Sequence, residues 1–347
     1  MRIHFLILLH FLFFVPVVIA VEKRAKDFLS QPDAWFATEE GLTVADIILS
    51  YQSDEGGWPK NTDTVTKPFD GDRKSLQSTF DNSATTDELR FLVRTYLATK
   101  NEKYRQAFDR GLSHILIAQY ANGGWPQHYP LNKGYNRHIT FNDNSMLRIM
   151  EFLREIYSQP RYAFVEVKQR DACFTAFDKG VLCILNCQII VDSKPTVWCA
   201  QHHAETLLPV LARSYELPSF SGSESVGLTR LLMSLDNPSS EIKAAIEGAV
   251  KWFESAKLVG IRVEWQDAPN TPKGKNRIVV ADANAPPVWA RFYDLTTGKP
   301  MFCDRDGIPK ETISEIGYER RNGYAWYGNW PEELLEKDYP AWRNRVS

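Results

Sequence analysis

Two short acidic corners carry the strongest chemical signal in the sequence. Asp81 and Asn82 lie in Thr79–Ser83 (TFDNS), Asp143 and Asn144 lie in Thr140–Ser145 (TFNDNS), and apolar residues at helical spacing follow each. Asp and Asn side chains satisfy the free amides of a helix's first turn, and capping by itself explains one such corner. Two corners at equivalent places in a repeat would also meet at one rim. Two carboxylates and an amide oxygen would then lie within reach of one cation. Oxygen donors without His or Cys suit calcium rather than zinc, so Asp81, Asn82 and Asp143 are the candidate metal ligands.

A second group of residues is cationic. Lys60 follows the first Gly-Gly-Trp-Pro turn, Arg213 lies in PVLARSYELPSF, and Arg291 and Arg305 frame RFYDLTTGKPMFCDRDG. Singly, each reads as a surface charge or structural ion pair. Together, beside two aspartates, they suit a polyanion, because a guanidinium grips a carboxylate with two parallel hydrogen bonds. Nearby Trp289 and Phe292 would support them or stack on a sugar, and the adjacent His202 and His203 suggest a structural or substrate contact. Lys plus Arg is 41 and Asp plus Glu is 43, a formal charge of −2. No global positive field therefore draws the chain to nucleic acid or anionic lipid, and an anionic ligand must be held locally. The nucleophile elbow, the Walker loop, the zincin helix motif and the EF-hand loop are all missing from the sequence.

The elements that must position these residues are mostly helical. Of the 347 residues, 44% are hydrophobic and 12% aromatic, enough for a large core. Three-and-four spacing predicts helices over 88–99, 104–117, 145–156, 174–190, 205–215, 223–235 and 241–253. From Gly260 onward the stretches IRVEWQD, NRIVVAD and PPVWARFYDL read as short strands among loops. An internal repeat organises the first half: Gln52–Trp58 (QSDEGGW) and Gln119–Trp125 (QYANGGW), each followed by Pro, lie 67 residues apart. Each unit is a helix ending in Gln, a Gly-Gly-Trp-Pro turn, a loop, and an acidic corner opening the next helix. Helix pairs that cannot bury their own apolar faces stack into a ring. The expected fold is mainly α: an incomplete α/α toroid or barrel over 21–257, with a loop and short-strand region over 258–347 packed onto it. Rim loops would converge on one cleft.

Residues 1–20 (MRIHFLILLHFLFFVPVVIA) read as a secretory signal peptide, so the mature protein is expected outside the cytoplasm, secreted or periplasmic, without a membrane anchor. Five cysteines leave at least one thiol unpaired within the chain; they read as buried apolar residues with room for one disulfide.

The blocks GGWPKN (56–61), DNSAT (81–85), GGWPQHYP (123–130), ITFND (139–143), VWCAQHH (197–203), the Arg213 segment with SGSES (221–225), and RFYDLTTGKPMFCDRDG together resemble the pectate lyases of polysaccharide lyase family 10, over roughly residues 35–332. The resemblance implies an α/α toroid that cleaves polygalacturonate by calcium-assisted β-elimination at alkaline pH; separately, the protein is expected to be a monomer. The resemblance places Asp81, Asn82 and Asp143 around the calcium, Arg213 as the base, and Arg291 and Arg305 on substrate carboxylates; Lys60 and His202 join them as substrate contacts. One departure is His203, where the family pattern has Asp. A non-catalytic uronate-binding protein is the alternative. The Gln-x-x-x-Gly-Gly-Trp turns also resemble those of triterpene cyclases, which need a longer chain and an Asp-x-Asp-Asp acid that this sequence lacks.

Overall fold

The structure is a computed structural model that describes residues 23–346. The expected signal peptide lies outside the described residues. Among those residues, no helix is long and apolar enough to cross a membrane.

Helix α1 (Glu39–Ser50) precedes three helical hairpins: α2 (Thr86–Thr99) with α3 (Glu102–Ile117), α4 (Ser145–Ser158) with α5 (Val167–Cys187), and α6 (Glu224–Met233) with α7 (Ser240–Ser255). Their limits follow local chemistry. Lys100 takes a left-handed conformation to end α2, and the Asn101 side chain accepts the Lys103 amide to open α3. Helices α2, α4 and α6 contact one another in sequence, as do α3, α5 and α7, giving two layers. Between them lies a continuous apolar core of residues such as Leu89, Phe108, Ile149, Phe152, Ile184 and Ile246.

The repeat is more extensive than the two copies visible in the sequence. Four fully buried indoles stand at equivalent places, each donating to a carbonyl of the preceding helix of the hairpin array: Trp58 to Ile48, Trp125 to Ile115, Trp198 to Ile184 and Trp289 to Phe253. Gln52, Gln119 and Gln188 likewise each span their own turn and the next outer helix, donating to Ala107, Ala176 and Ala245. The turn glycines admit no side chain. Gly123 has φ +90° and a Cβ there would sit 2.0 Å from the Lys179 carbonyl, while at Gly56 (φ +102°) it would sit 2.6 Å from that of Arg110.

Each turn then grips the corner of a neighbouring unit. Phe80 N–H donates to Gln127 O, Phe141 N–H to Ala200 O, and Ser219–Ser221 pairs antiparallel with Phe292–Asp294. This stitching carries the corners to one rim.

Three expectations need correction. Residues 205–215 are irregular rather than helical: Pro209 has no amide to donate, and Leu208 and Leu211 stand exposed instead of forming an apolar face. The final ninety residues contain the expected strands, two of them paired as the hairpin Ile261–Asp267 with Lys275–Ala281, but also two helices, α8 (Tyr318–Gly323) and α9 (Tyr339–Val346). All five cysteines are buried, as expected, and all are free thiols, so the room left for one disulfide is not used. Trp289, Tyr293, Leu334 and Trp342 belong to the main core, while Phe292, Phe302 and Trp326 form a second cluster with Tyr215 and Ala200.

Candidate functional site

Asp81 and Asp143 line one cleft of about 120 Å³, together with Lys60, Asn61, Asn82, Gln127, Tyr135, Asn142, Gln201, Arg213 and Glu216. The two corners touch each other, as the repeat requires. Both are held in a backbone conformation that L-residues seldom adopt. Asn82 (φ +53°), Asp143 (φ +50°) and Asn144 (φ +61°) belong to the types that tolerate it best, but Thr85 (φ +73°) is β-branched. Its hydroxyl holds it there, donating to Thr79 O at 2.9 Å and accepting from Trp58 N at 3.0 Å. Strained corners of this kind persist where surrounding structure over-determines them.

The carboxylates are heavily engaged. Asp81 Oδ2 receives the Lys60 ammonium and, at 2.9 Å, the Gln127 amide, while its Oδ1 accepts Asn82 N. Lys60 and Gln127 both stand two residues after a turn tryptophan. Arg291 stands two after Trp289, and its Nη2 donates to Asp143 Oδ1 at 3.1 Å, to Asn142 Oδ1 at 3.4 Å and to Glu224. The repeat thus delivers a donor to each corner from the same place in three of its four turns.

Arg213 enters from the irregular 205–215 segment. Glu216 accepts its Nε at 2.7 Å, its Nη2, and its backbone amide at 3.2 Å. The Tyr324 hydroxyl donates to Glu216 Oε1 at 2.6 Å. The Arg213 guanidinium lies over the rings of Tyr215 and Tyr324, at 5.0 and 5.7 Å, and Arg320 and Arg291 flank the same rings. Burial by itself would lower the affinity of Arg213 for its proton, but the Glu216 fork overrides it and holds the guanidinium above its ordinary value.

The other expected contacts are placed differently. Arg305 does not line the small cleft; it is exposed, paired with Glu319 at 3.1 Å, and joins the cluster through the Tyr215 ring at 5.6 Å and through Glu319, which Arg320 shares. His202 is not available to a substrate. It is completely buried, its Nδ1 donates to Leu207 O at 2.7 Å and its Nε2 accepts Cys199 N at 3.0 Å, while burial lowers its pKa to about 4. It is a neutral loop brace. Trp289 is buried too, and stacks on no ligand. His203 lies against His138 with ring centres 5.1 Å apart, in a wider cavity of about 810 Å³ that shares Tyr135 with the cleft.

Sequence reasoning passed over Glu216, Glu224, Gln127, Gln201, Asn142 and Tyr324. Two signals were present: Gln127 occupies the repeat position of Lys60, and Glu216 lies three residues from Arg213.

For a hard cation the fit is good in donor type. The oxygens of Gln127 and Gln201 are buried at the cleft with no hydrogen-bond partner, beside two carboxylates and the Asn82 amide. No group of three or more His, Cys, Asp or Glu suited to a metal occurs among the described residues, so amide oxygens or the ligand itself must complete any shell.

The sequence model of the family Pectic acid lyase matches residues 52–335. Among solved structures, the family 10 polysaccharide lyase of Cellvibrio cellulosa is 36% identical, with a TM-score of 0.77 over 91% of this chain and 95% of that one. An Asp-to-Ala mutant of a family 10 polysaccharide lyase from the same organism, in complex with trigalacturonic acid, aligns with the same identity and TM-score over 91% and 96%. Comparison with curated proteins finds no match. The chain belongs to the pectic acid lyase family, and the protein is a polysaccharide lyase.

Proposed function

We propose that the protein is a secreted, calcium-dependent pectate lyase that cleaves α-1,4-polygalacturonate by β-elimination to 4,5-unsaturated oligogalacturonides. The observation that carries this reading is the meeting of Asp81 and Asp143 in one cleft with Arg213 and Lys60. The related lyase crystallised with trigalacturonic acid supports the substrate class, and the apolar segment 1–20 supports export to where such polymers occur.

Asp81, Asn82 and Asp143 would hold the calcium, with the unpartnered oxygens of Gln127 and Gln201 within the same cleft. When bound, calcium supplies positive charge to the uronate carboxylate, which grows more anionic as the neighbouring C5 hydrogen leaves. Lys60 neutralises Asp81 on one side of the cleft. Arg291 holds Asp143 in place and keeps a buried Nε without a partner. Arg305, exposed at the edge, is placed to receive a further carboxylate of the polymer by exchanging it for Glu319. Arg213 takes the C5 proton after losing its own to solvent. At neutral pH that loss costs about 1.36 kcal/mol per unit of pKa above the medium, so turnover rises steeply with pH.

The test uses polygalacturonate at about pH 7 and about pH 10, with calcium and with a chelator, following ultraviolet absorbance and reducing ends together. Absorbance growing in step with reducing ends, faster at the higher pH and abolished by the chelator, is the expected result. Reducing ends without absorbance would make the protein a hydrolase. Tight binding with neither would make it a uronate-binding protein.

A further inference from the structure

We propose that Glu216 is a positioning residue for Arg213, choosing which guanidine nitrogen takes the C5 proton and stabilising the cation that forms. The inference rests on Arg213 being the base, and deepens that reading.

The geometry is a fork with one prong left over. Glu216 engages Nε and Nη2 of Arg213, and Nη1 is the guanidine nitrogen the carboxylate leaves unengaged. A neutral guanidine with its imine at Nη1 still carries hydrogens on Nε and Nη2. The fork therefore survives deprotonation, and the proton leaves and returns at Nη1. In the step itself the C5–H bond breaks and its proton joins Nη1. The C–H electron pair forms the C4=C5 bond, and the C4–O4 pair departs with the leaving oxygen. A carboxylate that orients a base by hydrogen bonds and stabilises the cation formed is a general device for activating a weakly poised group.

The surroundings single out Glu216 for that duty. Arg213 faces the Tyr215 and Tyr324 rings, Arg320 shares both of those rings, and Arg291 stands over Tyr324 at 4.9 Å. Tyr135, Asp81, Asp143 and Lys60 line the cleft with it. Glu216 is the carboxylate in contact with the guanidinium, and its side chain is only 4% exposed. Tyr324 keeps its proton in alkaline medium, chiefly through burial and further through Glu216 and Glu224, against the opposing pull of Arg291. Its hydroxyl thus still donates to Glu216 when the base is neutral.

Glu216→Gln preserves shape and removes the charge. The expected result is a fall in kcat of about 10-fold or more with KM within about 2-fold, and an alkaline rise in turnover that begins at least about one pH unit lower, because the neighbouring cations then act unopposed. A merely structural Glu216 would lower thermal stability and leave the pH profile in place; that outcome, or a loss confined to KM, overturns the proposal. Should this variant not fold, Tyr324→Phe leaves the fork intact but removes the hydroxyl that Oε1 also accepts, and kcat should drop about 2- to 10-fold at constant KM. Unchanged kcat there overturns the proposal as well. Arg213→Lys separates the two levels. If it retains turnover, the base assignment itself falls, whereas if it is inactive while Glu216→Gln behaves like the parent, only the positioning role falls.

Discussion

Replacing Arg291 with Met separates two duties that the structure combines in one side chain. Arg291 is 8% exposed, and its Nη2 holds Glu224, Asp143 and Asn142 at once. The Glu224 side chain is 2% exposed, and its remaining side-chain partner is the Ser221 hydroxyl. Taking away the cation strands a buried carboxylate, which costs about 3–5 kcal/mol. Converting that carboxylate to an amide in the double variant Arg291→Met/Glu224→Gln should recover most of the loss. Turnover should not follow, because orienting Asp143 and presenting positive charge to the uronate still require the guanidinium. Removal of one such stabilising group lowers kcat by about 10²–10³-fold. Urea unfolding and ultraviolet product formation, run on parent, single and double variants, read the two effects separately. A single variant that loses less than about 1 kcal/mol would refute the buried-pair argument. A double variant that regains turnover would show Arg291 to be structural only.

Two further outcomes follow from the frame around the cleft. Glu88, on α2 just beyond the first corner, is fully buried with an unpartnered Oε2, and burial foremost, then Asp87, pushes its pKa to about 8. The unfolded chain releases this proton near 4.5 and the fold keeps it to about 8, so its contribution to stability is complete at low pH and lost as pH rises across that window. Glu88→Gln should therefore match the parent near pH 4 and exceed it by a few kcal/mol near pH 9; an equal melting-temperature difference at both pH values would exclude this cause. Gly123→Ala should destabilise by about 2 kcal/mol or more in urea unfolding, since the left-handed turn and the Lys179 carbonyl 2.0 Å from the new Cβ both oppose it. A neutral effect there would mean that the turn can move away from α5.

Much of the architecture is local enough to read from the chain. The hairpin helices announce themselves because burying one face imposes a three-and-four spacing whatever the partner is, as in Ser145–Ser158. The Gly-Gly-Trp turns at 56–58 and 123–125 are legible for a similar reason. Glycine is demanded by a crossing carbonyl, and tryptophan by a fixed hydrogen bond to its own helix. The third and fourth turns escaped notice because spacing carries the signal and insertions erase it: Gln188 stands ten residues before Trp198, and the hairpin 261–281 separates α7 from Trp289. Residues 205–215 misled in the opposite direction. Their leucines keep helical spacing, yet Pro209 and the carboxylate of Glu216 hold the backbone open.

Residue types and order alone established that two Asp-Asn corners recur after equivalent turns, pointed to an anionic ligand to be met by local cations, and supplied donors that suit a hard cation. Only the folded chain decided which charges actually touch. Lys60 sits on Asp81, Arg291 on Asp143 and Glu224, Arg213 on Glu216, and His202 is sealed away from the cleft. Capping and periodicity act within a few residues and leave their record in the chain. Pairing of long side chains across a rim depends on how far the helices turn as they stack, and no local pattern encodes that angle.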